Sequence, residues 1–256
     1  MIEPSDWIWR KINRLEHYPP IALRRHASAL GIFDGPGYEF VAYLKLIARL
    51  EPTDSVWDVG CGCGLLELAL ESLGWRGTLV ATDIHKPSID WAAHTIHKRI
   101  PSFRFIHSNI YHPAYAPHGT LSSAEWLSQF QGAFDLIVAK SLLTHMLPDE
   151  LDLYLKHLSQ RLTERGRALL TFFVLNDEQK QWAMAGKNQI RFLTPDGSEH
   201  YAVRRPDAPT AAVAYDEKYL VARLAAFELR PTKIYPGVWT GRQDGLSFQD
   251  VWLVTR

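Results

Sequence analysis

The sequence predicts an α/β protein on a doubly wound, mostly parallel seven-stranded sheet, with an antiparallel last strand and an N-terminal helical cap. Three observations predict it. From Ser55 onward, short apolar runs alternate with amphipathic helical segments. The first apolar run opens into alternating glycines, Gly60, Gly62 and Gly64. The last two runs are joined by a turn-rich stretch, Pro236–Gly245, which reads as a hairpin. Strand–helix alternation implies a parallel sheet covered by helices on both faces. Right-handed crossovers then gather the loops that follow the strands at one edge, where ligands bind. A closing hairpin reverses one strand against the rest.

The elements follow in chain order. Residues 1–50 read as a helical cap: Trp7, Ile8, Ile12 and Leu15 recur at helical spacing, and Pro19-Pro20 interrupts the run. Gly35-Pro36-Gly37 marks a turn, and the helix resumes over Phe40–Leu50. In residues 51–256, strands are expected at Ser55–Val59, Thr78–Thr82, Phe103–His107, Phe134–Ala139 and Ala168–Leu175. Helices are expected at Leu65–Leu73, Ser88–Lys98, Ala124–Phe130 and Pro148–Leu162. Residues 176–215 lose the rhythm, a stretch long enough to suggest a functional insertion on the substrate side. A helix at Glu217–Phe227 and strands at Thr232–Tyr235 and Phe248–Val254 complete the chain.

Composition narrows the function. A chain of 256 residues can bury one substantial core. Lys plus Arg (28) balances Asp plus Glu (28), so no global field draws in nucleic acid or an anionic membrane. No run approaches the ~20 apolar residues of a membrane span. The N-terminal residues lack the basic-then-apolar layout of a signal peptide. Two cysteines, Cys61 and Cys63, sit too close for a disulfide and are too few for structural zinc, so a reducing cytoplasm is expected. His107, His112 and His118 lack the spacing of metal ligands, and no metal is expected.

The strongest signal is Asp58-Val59-Gly60-Cys61-Gly62-Cys63-Gly64. Glycines let the backbone turn sharply and let a ligand approach where a Cβ would stand. Dinucleotide turns use G-x-G-x-x-G and aim a helix N-terminus at pyrophosphate. Here the third glycine comes one residue early, and Asp58 would set a negative charge beside that pyrophosphate, which disfavours a nicotinamide-dependent oxidoreductase. A cationic amino-acid ligand tolerates the arrangement better. Twenty-five residues after Asp58, Asp83 ends the second strand with a carboxylate able to accept from both hydroxyls of a ribose. Its bland alternative is a helix cap.

These residues resemble the class I S-adenosylmethionine-dependent methyltransferases, whose first motif the stretch Asp58–Gly64 matches in full and whose ribose-binding acid Asp83 matches. The resemblance covers residues 52–256. It implies S-adenosylmethionine as cofactor, S-adenosylhomocysteine as product, and a cofactor site of Asp58, Gly60, Cys61, Gly62, Gly64, Asp83, Ile84, Asn109, Ile110 and Ala139. The family usually carries an aspartate for the adenine amine where this chain has Asn109, a neutral acceptor. Three further stretches, Ser141–Pro148, Leu169–Phe173 and Gly237–Asp250, resemble a bacterial branch acting on small molecules. That branch implies a hydroxylated acceptor, a sugar or natural product.

Methyl transfer asks the protein chiefly to align an acceptor with the cofactor's activated methyl. A hydroxyl acceptor also needs a base. His145, past the fourth strand, is the candidate base, its alternative a structural histidine; Lys140 ends that strand and can shape the pocket. Arg24, Tyr43, Trp239 and Arg242 are candidate walls of the substrate pocket, against packing or surface roles. N- or C-methylation of a small molecule, protein or RNA stands as an alternative, as does a non-catalytic cofactor-binding scaffold. Oligomeric state is not legible.

Overall fold

A computed structural model describes residues 4–27, 35–184, 186, 188–195 and 197–256. Those parts of the expected cap and insertion that fall at 1–3, 28–34, 185, 187 and 196 lie outside the described residues. Two compact units divide the chain, Met1–Phe130 and Gln131–Arg256.

The first unit opens with helices α1 (Pro4–Ile12), α2 (Ile21–Ala27) and α3 (Gly35–Leu46). Strands and helices then alternate as expected: β1 (Ser55–Val59), α4 (Leu65–Ser72), β2 (Thr78–Asp83), α5 (Lys86–Arg99), β3 (Phe103–His107) and α6 (Ser123–Gln129). β1 pairs parallel with β2, and β2 with β3, in a register that sets Val59 beside Thr82 and Asp83 beside His107. Because the strand ends are level, Gly60, Ile84 and Ser108 all leave the sheet at one edge. The interior of β1 is buried, the pattern of a strand covered on both faces. Trp57 is fully buried there and donates from Nε1 to Thr82 Oγ1 at 3.0 Å.

Two details of the cap differ from expectation. Gly35-Pro36-Gly37 begins α3 instead of turning before it. Proline's fixed φ suits a first helical turn, and Gly37 lets α3 press onto α4: a Cβ there would stand 2.7 Å from the Leu65 carbonyl oxygen. In α1 the apolar Trp7, Ile8 and Ile12 are exposed, whereas Asp6 and Arg10 are buried. Asp6 accepts from Arg10 Nε at 3.0 Å, from the Ile21 amide at 3.2 Å and from Arg24, and this ion cluster turns the helix's polar side inward.

The second unit contains β4 (Phe134–Ala139), α7 (Pro148–Arg161), β5 (Leu162–Phe172), β6 (Val174–Leu175), α8 (Asp177–Met184), β7 (Tyr201–Val203), β8 (Val213–Asp216), α9 (Glu217–Ala226), β9 (Arg230–Tyr235) and β10 (Asp250–Thr255). β4 and β5 are parallel, while β10 runs antiparallel to both β5 and β9. The seven-stranded sheet has the order β3-β2-β1-β4-β5-β10-β9, doubly wound with one reversed strand, as the sequence predicts. Exposed Pro-containing β9 is an edge strand, the position where proline costs no ladder bond.

The single strand expected at Ala168–Leu175 is two. β5 starts earlier, at Leu162, and stops at Phe172; β6 then joins β8 and β7 in a separate three-stranded sheet. The break is made by Asp250, whose Oδ2 takes the Val174 amide at 2.9 Å, and by Tyr215, whose amide donates to the Phe173 carbonyl at 2.8 Å. Residues 176–215 thus carry a helix and two short strands, of which β8 buries Val213, Ala214 and Tyr215. Among the described residues no helix is long and apolar enough to cross a membrane.

Candidate cofactor and acceptor sites

The glycine loop adopts a conformation that needs its glycines. Gly60, Gly62 and Gly64 have φ of 81°, 57° and 82°, the left-handed region where a Cβ is strained. The Gly60 and Cys61 amides both donate to the Thr82 carbonyl, at 2.8 and 3.1 Å, fastening the loop to the end of β2. Gly60 and Gly62 stay partly exposed, whereas Cys61 and Cys63 turn inward. Burial pushes both thiols up, Cys63 to about 12, so neither is a thiolate nucleophile at neutral pH. Asp58, the penultimate residue of β1, is buried beneath the loop.

Asp83 is the loop's second anchor. Its Oδ2 accepts the Gly62 amide at 2.8 Å and its Oδ1 the His85 amide at 2.7 Å. A carboxylate offers about four acceptor sites, and Asp83 is partly exposed, so it keeps room for two hydroxyls. Ile84 follows, its carbonyl accepting from His107 Nε2 at 3.1 Å. Past β3, Asn109 gives its amide NH2 to Thr120 Oγ1 at 2.7 Å, which leaves the side-chain oxygen as an acceptor. Its backbone carbonyl takes the Thr120 and Leu121 amides, and Ile110 is buried beside it. Within this unit, then, Asp58, the glycines, Asp83, Ile84, Asn109 and Ile110 come together at the level ends of three adjacent strands.

In the second unit Ala139 ends β4 fully buried and Lys140 follows partly buried. Ser141 has φ of 54°, an uncommon conformation for a residue with a Cβ and one that clusters at functional sites. It is held by two bonds: its amide donates to Thr171 Oγ1 at 2.7 Å and its hydroxyl to Gln249 Oε1 at 3.1 Å. The stretches that hold Ser141, Thr171 and Gln249 drew notice in the sequence as a resemblance, but not these three residues as a group, because φ at a serine leaves no mark on the sequence. His145 lies in a 3-10 turn, Leu143–His145, with Nδ1 at 2.9 Å from the Thr210 carbonyl. A carbonyl only accepts, so Nδ1 carries the hydrogen and the lone pair of the neutral ring sits on Nε2. Tyr215 donates to the Met146 carbonyl at 2.6 Å, so two residues of the 209–216 stretch brace the histidine's turn.

The four candidate pocket walls have these surroundings. Trp239 is fully buried, donates from Nε1 to Asp250 Oδ2 at 2.8 Å, and packs on Phe173 and Phe192. Arg242 is buried and paired with Asp244 at 2.8 Å and Glu178 at 3.4 Å. Tyr43 is buried with its hydroxyl on Glu39 at 2.6 Å. Arg24 is buried against Asp6.

A family model described as a methyltransferase domain matches residues 37–210. Among solved structures, an S-adenosylmethionine-dependent methyltransferase from Clostridium acetobutylicum is similar with a TM-score of 0.54 at 13% identity, covering 97% of this chain and 98% of that one. Magnesium protoporphyrin IX methyltransferase from Synechocystis, solved with bound S-adenosylhomocysteine, gives 0.53 at 17% identity over 88% and 85%. The 1,6-didemethyltoxoflavin-N1-methyltransferase of Burkholderia thailandensis gives 0.50 at 18% over 98% and 84%. At such identities the likeness to these structures is one of fold. With more than half of its length matched by the family model, the chain belongs to the methyltransferase-domain family, on the fold of the S-adenosylmethionine-dependent class I methyltransferases.

Proposed function

We propose that this methyltransferase moves the methyl group of S-adenosylmethionine to a hydroxyl of a small acceptor, a sugar or a natural product, with S-adenosylhomocysteine as the other product. The observation that carries the hydroxyl reading is the tautomer of His145: with Nδ1 committed to the Thr210 carbonyl, Nε2 is the atom that can take an acceptor's proton. The residues of the glycine loop fit the cofactor, because they combine left-handed glycines, a buried acid and a half-satisfied carboxylate. Bound there, the cofactor supplies a methyl on a positively charged sulfur, already activated for in-line displacement.

The chain's own residues do the rest. Asp58 faces the ammonium of the amino-acid tail, Asp83 accepts from the ribose hydroxyls, and the Asn109 side-chain oxygen accepts from the adenine amine. Gly60, Cys61, Gly62 and Gly64 give the backbone surface, while Ile84, Ile110 and Ala139 supply apolar contact. Lys140 and the Ser141–Gln249 pair belong to the acceptor side. In this reading a helical cap at 1–50 precedes a methyltransferase domain at 51–256, which carries a substrate-side insertion at 176–215 that orients His145. Arg24, Tyr43, Trp239 and Arg242 shape the acceptor's surroundings through packing and ion pairs. The protein works in a reducing cytoplasm on a small molecule, with no metal and no nucleic-acid or membrane partner.

The test is a product analysis. The purified protein is incubated with S-adenosylmethionine and matched panels of hydroxylated and amine acceptors, and mass spectrometry locates the transferred methyl. Methyl ethers from the hydroxylated panel are expected; methylation confined to the amines contradicts the reading.

A further inference from the structure

Helix α4 begins directly beneath the glycine loop, and its first turn carries an acid at an unusual place. Glu67 has no exposed surface at all, between the buried Leu66 and Leu68. Its Oε2 lies 3.7 Å from where a Cβ on Gly64 would stand, so the carboxyl is tucked under the last glycine of the loop. Both carboxyl oxygens are buried, and neither receives a hydrogen bond of ordinary geometry from a donor among the described residues. An isolated buried carboxylate without donors is costly, whereas a neutral acid is far cheaper.

The surroundings fix which form is present. Asp58 on β1 is the charge that acts most strongly on Glu67, Asp83 on β2 adds to it, and the helix's own amide opposes both. From the loop, Cys61 and Cys63 contribute neutral thiols, and the charge of Arg24 on α2 acts on Cys63. α5 and β3 present the apolar Ile96 and Phe105 to this corner. Burial first, and the Asp58 charge second, hold the Glu67 carboxyl well above the usual carboxylate range. A neutral acid is a donor, and Asp58 is the acceptor beside it.

We propose that Glu67 is a positioning residue of the cofactor loop, a neutral carboxylic acid that donates a hydrogen bond to Asp58 and holds that carboxylate for the cofactor's ammonium group. The proposal rests on the reading that this loop holds S-adenosylmethionine. It gives the pair a single negative charge, matched to one ammonium, and it explains why a fully buried acid is placed under a turn built of glycines.

The experiment compares the wild-type protein with Glu67→Gln, which keeps a donor without a charge, and with Glu67→Leu, which keeps the volume and suits an apolar site. The first readout needs no cofactor: the infrared carbonyl band of a protonated carboxyl at pH 8, present in wild type and missing from Glu67→Gln. The second is unfolding temperature against pH. Folding of wild type takes up a proton at Glu67 wherever pH exceeds the ordinary carboxyl range, so its stability falls with rising pH by more than that of Glu67→Gln, which keeps every other titrating group. Glu67→Gln should melt at least about 2 °C higher at pH 8, with the gap closing toward pH 5. The third is calorimetric affinity for S-adenosylhomocysteine: within threefold of wild type for Glu67→Gln, and at least tenfold weaker for Glu67→Leu. Absence of the protonated band in wild type, or full affinity in Glu67→Leu, overturns the proposal. Failure of wild type to bind S-adenosylhomocysteine overturns the cofactor reading instead, and the infrared and pH results identify that case.

Discussion

Asp83 and Asp250 are both aspartates at a strand end that gather N–H groups, one in each unit, and they differ in how much acceptor capacity they leave open. Asp250 is sealed from solvent and takes four donors: the Val174 and Gly237 amides at 2.9 and 2.8 Å, Gln179 Nε2 at 2.7 Å and Trp239 Nε1 at 2.8 Å. Its acceptor sites are full. Burial raises its pKa to about 6, against the pull of those four donors. Asp83 takes two amides and keeps a solvent-facing side. The proposed ribose contact needs such open capacity, and Asp250 has none left to offer. Trp239 follows the same logic, because its indole N–H and its ring are engaged internally.

Four substitutions sharpen or break that contrast, here from the largest expected effect. Asp250→Ala strands four buried donors at once and should cost about 4 kcal/mol or more, read as a fall in unfolding free energy by chemical denaturation. Stability close to wild type would show that Asp250 is not the hub of this region. Asp83→Ala removes ribose hydrogen bonds worth roughly 1.5–3 kcal/mol each. Calorimetry should show S-adenosylhomocysteine binding weakened at least tenfold, in a protein that still unfolds cooperatively; unchanged affinity would reduce Asp83 to a loop anchor. His145→Ala should leave cofactor affinity within twofold and cut turnover on the true acceptor at least tenfold. Equal loss of both would recast the histidine as structural. Asn109→Asp adds charge to an acceptor and should tighten cofactor binding by about threefold, since bonds to a charged group are stronger; weaker binding would place the adenine amine elsewhere.

Much of this was legible in the sequence because its signals were local. All seven strands of the main sheet and its antiparallel closure follow from period, turns and order, and the glycine series locates the loop after β1. Boundaries failed where a distant group intervened. No feature of Ala168–Leu175 announces that Asp250 will take the Val174 amide and split the strand. The strands of the insertion, three and four residues long, are too short to show a period. Gly37 read as a turn because its close approach to Leu65 is a tertiary fact. Trp239 and Arg242 drew notice as residue types, yet what they touch decides their role, and that depended on Asp250, Asp244 and Glu178. Glu67 escaped notice because a glutamate in the first turn of a helix is ordinary on the page. Only its burial singles it out.

The account stands on the glycine loop holding an S-adenosyl nucleoside, and calorimetric titration of the purified protein with S-adenosylhomocysteine, with NAD in parallel, tests it most directly. Saturable one-site binding of S-adenosylhomocysteine, with no response to NAD, is the predicted result. No heat from S-adenosylhomocysteine, or saturable binding of NAD in its place, would contradict it.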